Sequence, residues 1–392
     1  MRLTSTAGVV VLLAVTAACT STDASPDREE GPGPAPLPVA WSTVDLPDGV
    51  DPSLLAPGPD GGVLVAANGE AGGGRGPRLL EIVDGEPTEL PVAAESYYGR
   101  RVVWRGVATA GWRVLAFGGR SGGAHGITRW TAWSGTLGPA GHLAEDVQDF
   151  ETFGGPAAGG LAGVVAPPDG PPLLLGSRVS DSGAGLDIAL WQYDAGRWLR
   201  LPLTGGTLAA DGEQQPAGHA IALREDGLLV AGSVTTFGDG ARTQAAIWTA
   251  PTVDGPWART PLPTDGDGLA AALSAACDRD GRCLVAGHAG GRLAAWTVST
   301  TGAVAALDVP DVPAGPAPAR VTAHVRAGVD AIGVSTPDGG ERHLLLTVDG
   351  TWREARLPAG PLVGLTLTDT ALWLATASPA GARLWTGPLP AS

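Results

Sequence analysis

Three cysteines, six histidines and an all-arginine set of 25 basic residues are where this 392-residue chain could carry chemistry, and their spacing restricts it sharply. Cys277 and Cys283 close the run CDRDGRC, whose Asp-Gly centre reads as a hairpin turn. Cysteines at facing ends of two paired strands lie within disulfide reach, so in an exported protein they are expected to be bonded as a local staple. Asp278, Asp280 and Gly281 in the same run begin like a calcium loop, but no bidentate Glu follows at the required distance. The histidines are scattered, with no pair at metal-ligand spacing, so neither a metal nor another cofactor is expected. Ser121 has Gly119 and Gly123 at the spacing of a hydrolase nucleophile elbow, yet no helix follows and a loop between strands accounts for the run. With no Lys, a phosphate loop of the Walker kind, a Schiff-base Lys and a Ser-x-x-Lys nucleophile are all excluded. A formal charge of −15 argues against nucleic acid and against adsorption to anionic lipid.

The elements that would position these residues follow from composition and repetition. Sixty Gly and 34 Pro without a collagen-like period point to an all-β chain rich in turns, because long helices tolerate neither residue. The clearest unit, residues 216 to 263, has four short apolar segments separated by Asp226-Gly227, the Gly-rich stretch 235 to 240, and Asp254-Gly255. That is the pattern of a four-stranded antiparallel sheet. Its second segment, LLVAGS, recurs as GVLVAANG, RVLAFGG, PLLLGS, CLVAGH, DAIGVS and LWLATA, about every fifty residues.

Seven copies of a four-stranded unit predict a seven-bladed β-propeller, with six and eight as the neighbouring counts that the spacing allows. Trp257-x4-Leu262-Pro263 and Trp352-x4-Leu357-Pro358 end two units, and Trp41-x4-Leu46-Pro47 has the same spacing at the start of the domain, whereas the last unit stops after its third segment. The N-terminal segment is therefore expected to supply the missing fourth strand and close the ring, removing an open sheet edge. The closed domain is expected to be a monomer. Trp130, Trp191, Trp248, Trp296 and Trp385 fall at one point of the third segments and are assigned to packing between blades; Trp104, Trp112, Trp133 and Trp373 fall outside that register and remain available to a ligand.

Residues 1 to 19 carry one charge, Arg2, then an apolar run from Ala7 to Ala18 that is too short to span a bilayer but suits a secretory signal. Val15-Thr16-Ala17-Ala18 before Cys19 resembles a bacterial lipobox, which implies a lipidated Cys19 as the mature N-terminus; ordinary cleavage beside a chance Cys is the alternative. Residues 20 to 38, polar and rich in Pro, Ser, Asp and Glu, read as a disordered tether, and residues 39 to 392 as the propeller. The expected location is the outer face of a bacterial cell membrane, with the membrane as a partner through the lipid.

LWQYDAGRWLRLPL at 190 to 203 resembles the kelch pattern, with AFGGRSGG supplying the Gly-Gly, and TVDGTW and TVDGPW resemble shortened Asp-boxes of sialidase-type propellers. Both resemblances imply a propeller, and both motifs are structural in their families. A kelch-type copper oxidase would need Tyr and His ligands, whereas Tyr193 occupies a structural position and only Tyr97 and Tyr98 remain; a sialidase would need an Arg-Ile-Pro motif that is absent.

Loops on a rigid scaffold are where binding concentrates. The connections between second and third strands, and those between blades, share one end of the ring. They carry Arg75, Arg120, His125, Arg178, Asp181, Asp239, Arg242 and His288, together with Glu95, Tyr97, Tyr98, Arg100 and Arg101. Several Arg on one rim suit a carboxylate or phosphate group of a glycan, peptide or envelope protein, because the guanidinium fork pairs two oxygens at once. If Arg178 paired with Asp181, and Arg242 with Asp239, nothing would be left to recruit an anion. The expected function is a tethered, non-catalytic binding or scaffold propeller; the alternative is an exported glycan-active enzyme using the same face.

Overall fold

Short turns with a residue of positive φ before a Gly set many of the hairpins. Asp84-Gly85, Ala195-Gly196, Ala327-Gly328 and Asp349-Gly350 have φ of 52° and 82°, 46° and 87°, 51° and 78°, and 49° and 72°. This left-handed pair matches the twist of the flanking strands, and Gly accepts it without a Cβ penalty. TVDGTW folds in this way, with Val348 opposite Thr351. TVDGPW does not: its Gly255 N–H bonds back to the Thr252 carbonyl inside a longer connection.

The computed structural model describes residues 35–71, 74–122, 126–202, 206–266, 268–314, 320–336, 340–377 and 381–390, so Cys19 and His125 lie outside the described residues. The described chain forms seven blades, each an antiparallel meander of four strands, at 50–90, 103–146, 158–200, 214–261, 270–306, 320–354 and 362–388. Three strands of the last blade come from its own span and the fourth is Ser42–Val44. The first strands pack against one another in ring order, and that of blade 7 returns to that of blade 1, so they line the axis. The protein is a seven-bladed β-propeller. Among the described residues no helix is long and apolar enough to cross a membrane.

Closure by the N-terminal strand is as the shared Trp-x4-Leu-Pro predicts. Ser42, Thr43 and Val44 pair with Thr386, Trp385 and Leu384. Trp41 donates its indole N–H to the Arg356 carbonyl at 2.8 Å. Before it, Leu37 bridges Ala355 through bonds with Glu354 and Arg356. Leu37, Val39 and Trp41 pack on the cluster around Leu344 and Leu374, while Val44 and Leu46 pack on the cluster around Leu80 and Leu384.

A bulge recurs in the innermost strand of six blades, at Ser53, Arg105, Ala162, His219, Leu273 and Val363; blade 6 pairs without one. A bulge kinks the strand and re-aims the extra residue. Its register explains the Gly that ends the repeated second segment. A Cβ on Gly118, Gly176, Gly232 or Gly287 would come within 2.5, 2.2, 1.9 and 1.9 Å of the first-strand carbonyls of Val103, Gly160, Ala217 and Ala271.

Two residues before that Gly, the second strand faces the Trp of the third: Leu174 faces Trp191, Val230 faces Trp248 and Val285 faces Trp296. In blade 2 the same point is Ala116, and it faces Trp133. Trp133 therefore takes the repeat position that spacing alone gave to Trp130. Trp104 and Trp373 are also buried, which leaves Trp112, 51% exposed, as the one member of the out-of-register group still at the surface. The indoles of Trp191, Trp248 and Trp296 each donate to a carbonyl of the connection into their own blade, at Thr152, Thr207 and Pro263.

Candidate functional site

The connections into blades 2 and 3 are longer than a turn needs, and the first is anchored by an acid near the end of blade 2. The outer strand of that blade, His142–Asp146, alternates so that Leu143 and Glu145 are buried. The Glu145 carboxylate accepts the backbone N–H groups of Glu95 and Ser96, both at 2.8 Å, and the Ser96 hydroxyl at 2.6 Å. The Gly99 N–H donates in turn to the Ser96 hydroxyl, and a Cβ at Gly99 would lie 2.1 Å from Glu145 Oε2. Val92–Ala93 of the same connection adds as a short parallel strand on the outer edge of the blade.

Asp146 ties the outer strand of blade 2 to blade 3. It accepts hydrogen bonds from the Ser134 hydroxyl at 2.7 Å, the Tyr193 hydroxyl at 3.2 Å and the Trp198 indole at 3.1 Å. Burial lifts its carboxyl above the ordinary value, against the opposing pull of these donors. Tyr193 packs at a tilt against Trp198 with 5.2 Å between centroids, which makes it the structural aromatic that the sequence implied. Gln148 accepts the Trp198 N–H, and the chain then makes a single helical turn, Phe150–Phe153.

Between these two connections lies a cavity of about 370 Å³, lined by Tyr98, Arg129, Trp130, Val147, Phe150 and Phe153 along with three acids, Glu145, Asp146 and Asp149. Phe153 packs edge-on against Trp191, while Phe150 is 57% exposed and covers the Arg129 guanidinium at 4.6 Å. Arg129 Nη1 is sealed from solvent without a hydrogen-bond partner among the described residues. The cavity thus joins aromatic walls to a guanidinium with one unpaired nitrogen, while Glu145 holds the first loop and Asp146 ties blade 2 to blade 3.

The structure brings some of the expected rim residues to this place and leaves others apart. Tyr98 lines the cavity, Tyr97 packs edge-on against it, and Arg101 lies over the Tyr97 ring at 4.2 Å. Arg100 bonds to the Glu95 carbonyl of its own loop. Arg120 and Arg178 stand at equal register, two residues past the second-strand Gly of blades 2 and 3; Arg120 faces Arg129, and Arg178 donates to the Glu151 carbonyl. Arg242 begins the third strand of blade 4, opposite Thr236. Asp181 lies 4.0 Å from Arg200, a pairing the sequence did not suggest.

The remaining candidates lie outside the lining of this cavity. Cys277 and Cys283 are bonded to each other and face each other directly in the sheet. In their turn Asp278 binds the Arg282 backbone N–H and side chain, and Arg282 continues to Asp330 at 2.6 Å. No group of three or more His, Cys, Asp and Glu could hold a metal among the described residues. His288 and His219 are held below the ordinary imidazole value chiefly by burial. His324 is pushed down to about 4 for the same reason, with its Nε2 sealed and unpaired. Arg129, Phe150 and Phe153 were missed from sequence because they lie off the repeat; the Gly-to-Trp register that singles out Trp133 would have freed Trp130 and its neighbours.

No family model matches the chain, and no curated protein matches it. Solved structures do. Acylaminoacyl peptidase from Pyrococcus horikoshii aligns over 89% of this chain and 53% of its own, at 13% identity and a TM-score of 0.51. The chain thus spans about half of that peptidase. The β-propeller domain of the trilobed protease from Pyrococcus furiosus aligns over 86% and 94%, at 11% identity and 0.50. The α-L-arabinofuranosidase Arb93A from Fusarium graminearum aligns over 82% and 98%, at 12% identity and 0.50. At such identities the likeness is one of fold.

Proposed function

We propose that this chain is a cell-envelope lipoprotein whose propeller is a non-catalytic binding module, and that its ligand enters the cavity between blades 2 and 3. The observation that carries the reading is the division of labour in that cavity. Of the acids there, Glu145 is taken up by the donors that hold the first loop and Asp146 by Ser134, Tyr193 and Trp198 of blades 2 and 3, which leaves Asp149 without a second free acid to share proton chemistry among the described residues of the lining. Phe150, exposed over the Arg129 guanidinium whose Nη1 has no hydrogen-bond partner among the described residues, suits with it a ligand that has an apolar body and an anionic end. Arg120 and Arg178 extend the same face. The lipobox-like residues support a lipid on Cys19, with the segment after it as the tether.

Two measurements test this. Cys19→Ala should move the full-length protein from the membrane fraction to the medium, and unchanged fractionation would remove the anchor. A ligand screen read by tryptophan fluorescence should give hits that Trp130→Ala and Arg129→Gln weaken at least tenfold. Turnover of a glycoside that disappears in Asp146→Asn, with the fold intact by circular dichroism, would replace the binding reading by the enzymatic one.

A further inference from the structure

The innermost strands place two arginines where nothing balances them. Arg105 is the bulged residue of blade 2, and the first strand of blade 2 packs beside that of blade 1, whose bulged residue is Ser53. Arg320 opens the first strand of blade 6 and reaches past blade 7: its Nη1 donates to the Ser53 carbonyl and to the Val363 carbonyl. Those two residues are the bulges of blades 1 and 7. One guanidinium is therefore held at the bulge level of the axis by backbone acceptors, and the bulged residue of the next blade round is a second arginine, Arg105.

Among the described residues neither Arg105 nor Arg320 has a carboxylate within ion-pairing distance. Desolvation first, and then the positive charge of Arg105, hold the Arg320 pKa below its ordinary value. Arg320 spends Nη1 on the carbonyls, so its other N–H donors remain, and Arg105 keeps all of its own. First strands begin at the end of the ring where the connections between blades arrive, so the pair sits toward the mouth on the loop-rich face.

We propose that this mouth is an oxyanion site in which Arg105 and Arg320 clamp one carboxylate or phosphate group between them. An anion there would replace a repulsion by two charge-assisted contacts, and planar guanidinium forks approaching from different blades suit a group that presents several oxygens. The site is separate from the cavity between blades 2 and 3 and makes no use of its aromatic walls.

Calorimetric titration of the wild-type propeller, Arg105→Gln, Arg320→Gln and Trp130→Ala with inorganic phosphate, citrate and acetate, at ionic strength fixed with chloride, tests the assignment. Wild type and Trp130→Ala are expected to bind at least one of these anions equally, and Arg105→Gln at least tenfold more weakly. The anion preferred separates a phosphate from a carboxylate ligand, and either supports the clamp. Arg320→Gln loses the tie between blades 6, 7 and 1 and could unfold, but Arg105 makes no bond that holds the ring, so its variant keeps the test decisive. In chloride at low ionic strength Arg105→Gln should melt no lower than wild type, because a repulsion has been removed. Absence of binding to wild type, equal binding by wild type and Arg105→Gln, loss of binding in Trp130→Ala, or a lower melt of Arg105→Gln in chloride would each overturn the proposal.

Discussion

Lowering the pH from 7 to 5 should weaken the fold through His324. Its pKa falls from 6.5 to about 4 because burial disfavours the charged ring, and its sealed Nε2 has no acceptor to receive a second proton. The unfolded chain takes up that proton at its ordinary value while the folded chain resists, so stability is complete above 6.5 and drains as pH falls toward 4. A gap of this size corresponds to about 2 kcal/mol lost between pH 7 and 5, and about 3 kcal/mol by pH 4. His219 and His288 are shifted in the same direction and add to the loss. Asp226 and Asp369, whose carboxyls their Arg partners hold below the usual range, lose stability only at lower pH. The raised carboxyl of Asp146 acts with the opposite sign, being relieved as pH falls through its folded value. Urea unfolding followed by tryptophan fluorescence at steps from pH 7.5 to 4.5, for wild type and His324→Gln, isolates the His324 share. The variant curve should be flatter by about 2 kcal/mol between pH 7 and 5. Parallel curves would refute the account, whatever the absolute stability of the variant.

Deleting residues 41 to 47 should strip five closing contacts down to Leu37 and Val39 and leave the outer edge of 383–388 unpaired, giving aggregation in light scattering rather than a simple shift in melting. Gly287→Ala should cost about 3 kcal/mol in denaturant unfolding, since its Cβ would meet a backbone carbonyl that cannot swing aside. Replacing Cys277 and Cys283 by Ala should cost only about 2 kcal/mol, because the bridge closes a span of six residues and the entropic gain grows with loop length.

Sequence alone decided the architecture. Turn residues need particular φ values, so Asp-Gly and Ala-Gly pairs marked the hairpins; a repeat of about fifty residues that cannot bury both of its faces must stack into a ring. The shared spacing after Trp41, Trp257 and Trp352 located the closing strand, and the run CDRDGRC located the disulfide, because both are matters of local register. The site was not legible in this way. Trp130 and Trp133 are three residues apart, and spacing cannot tell which faces Ala116; only the pairing of the second and third strands, which sets Trp133 opposite Ala116 and Trp130 opposite Gly119, turns Trp133 into the core and leaves Trp130 beside the cavity. Arg320 reaches the Ser53 carbonyl, 267 positions away in the chain, solely because the ring brings blade 6 round to blade 1. Local chemistry is written along the chain, whereas which charges confront each other depends on a closure that no segment encodes by itself.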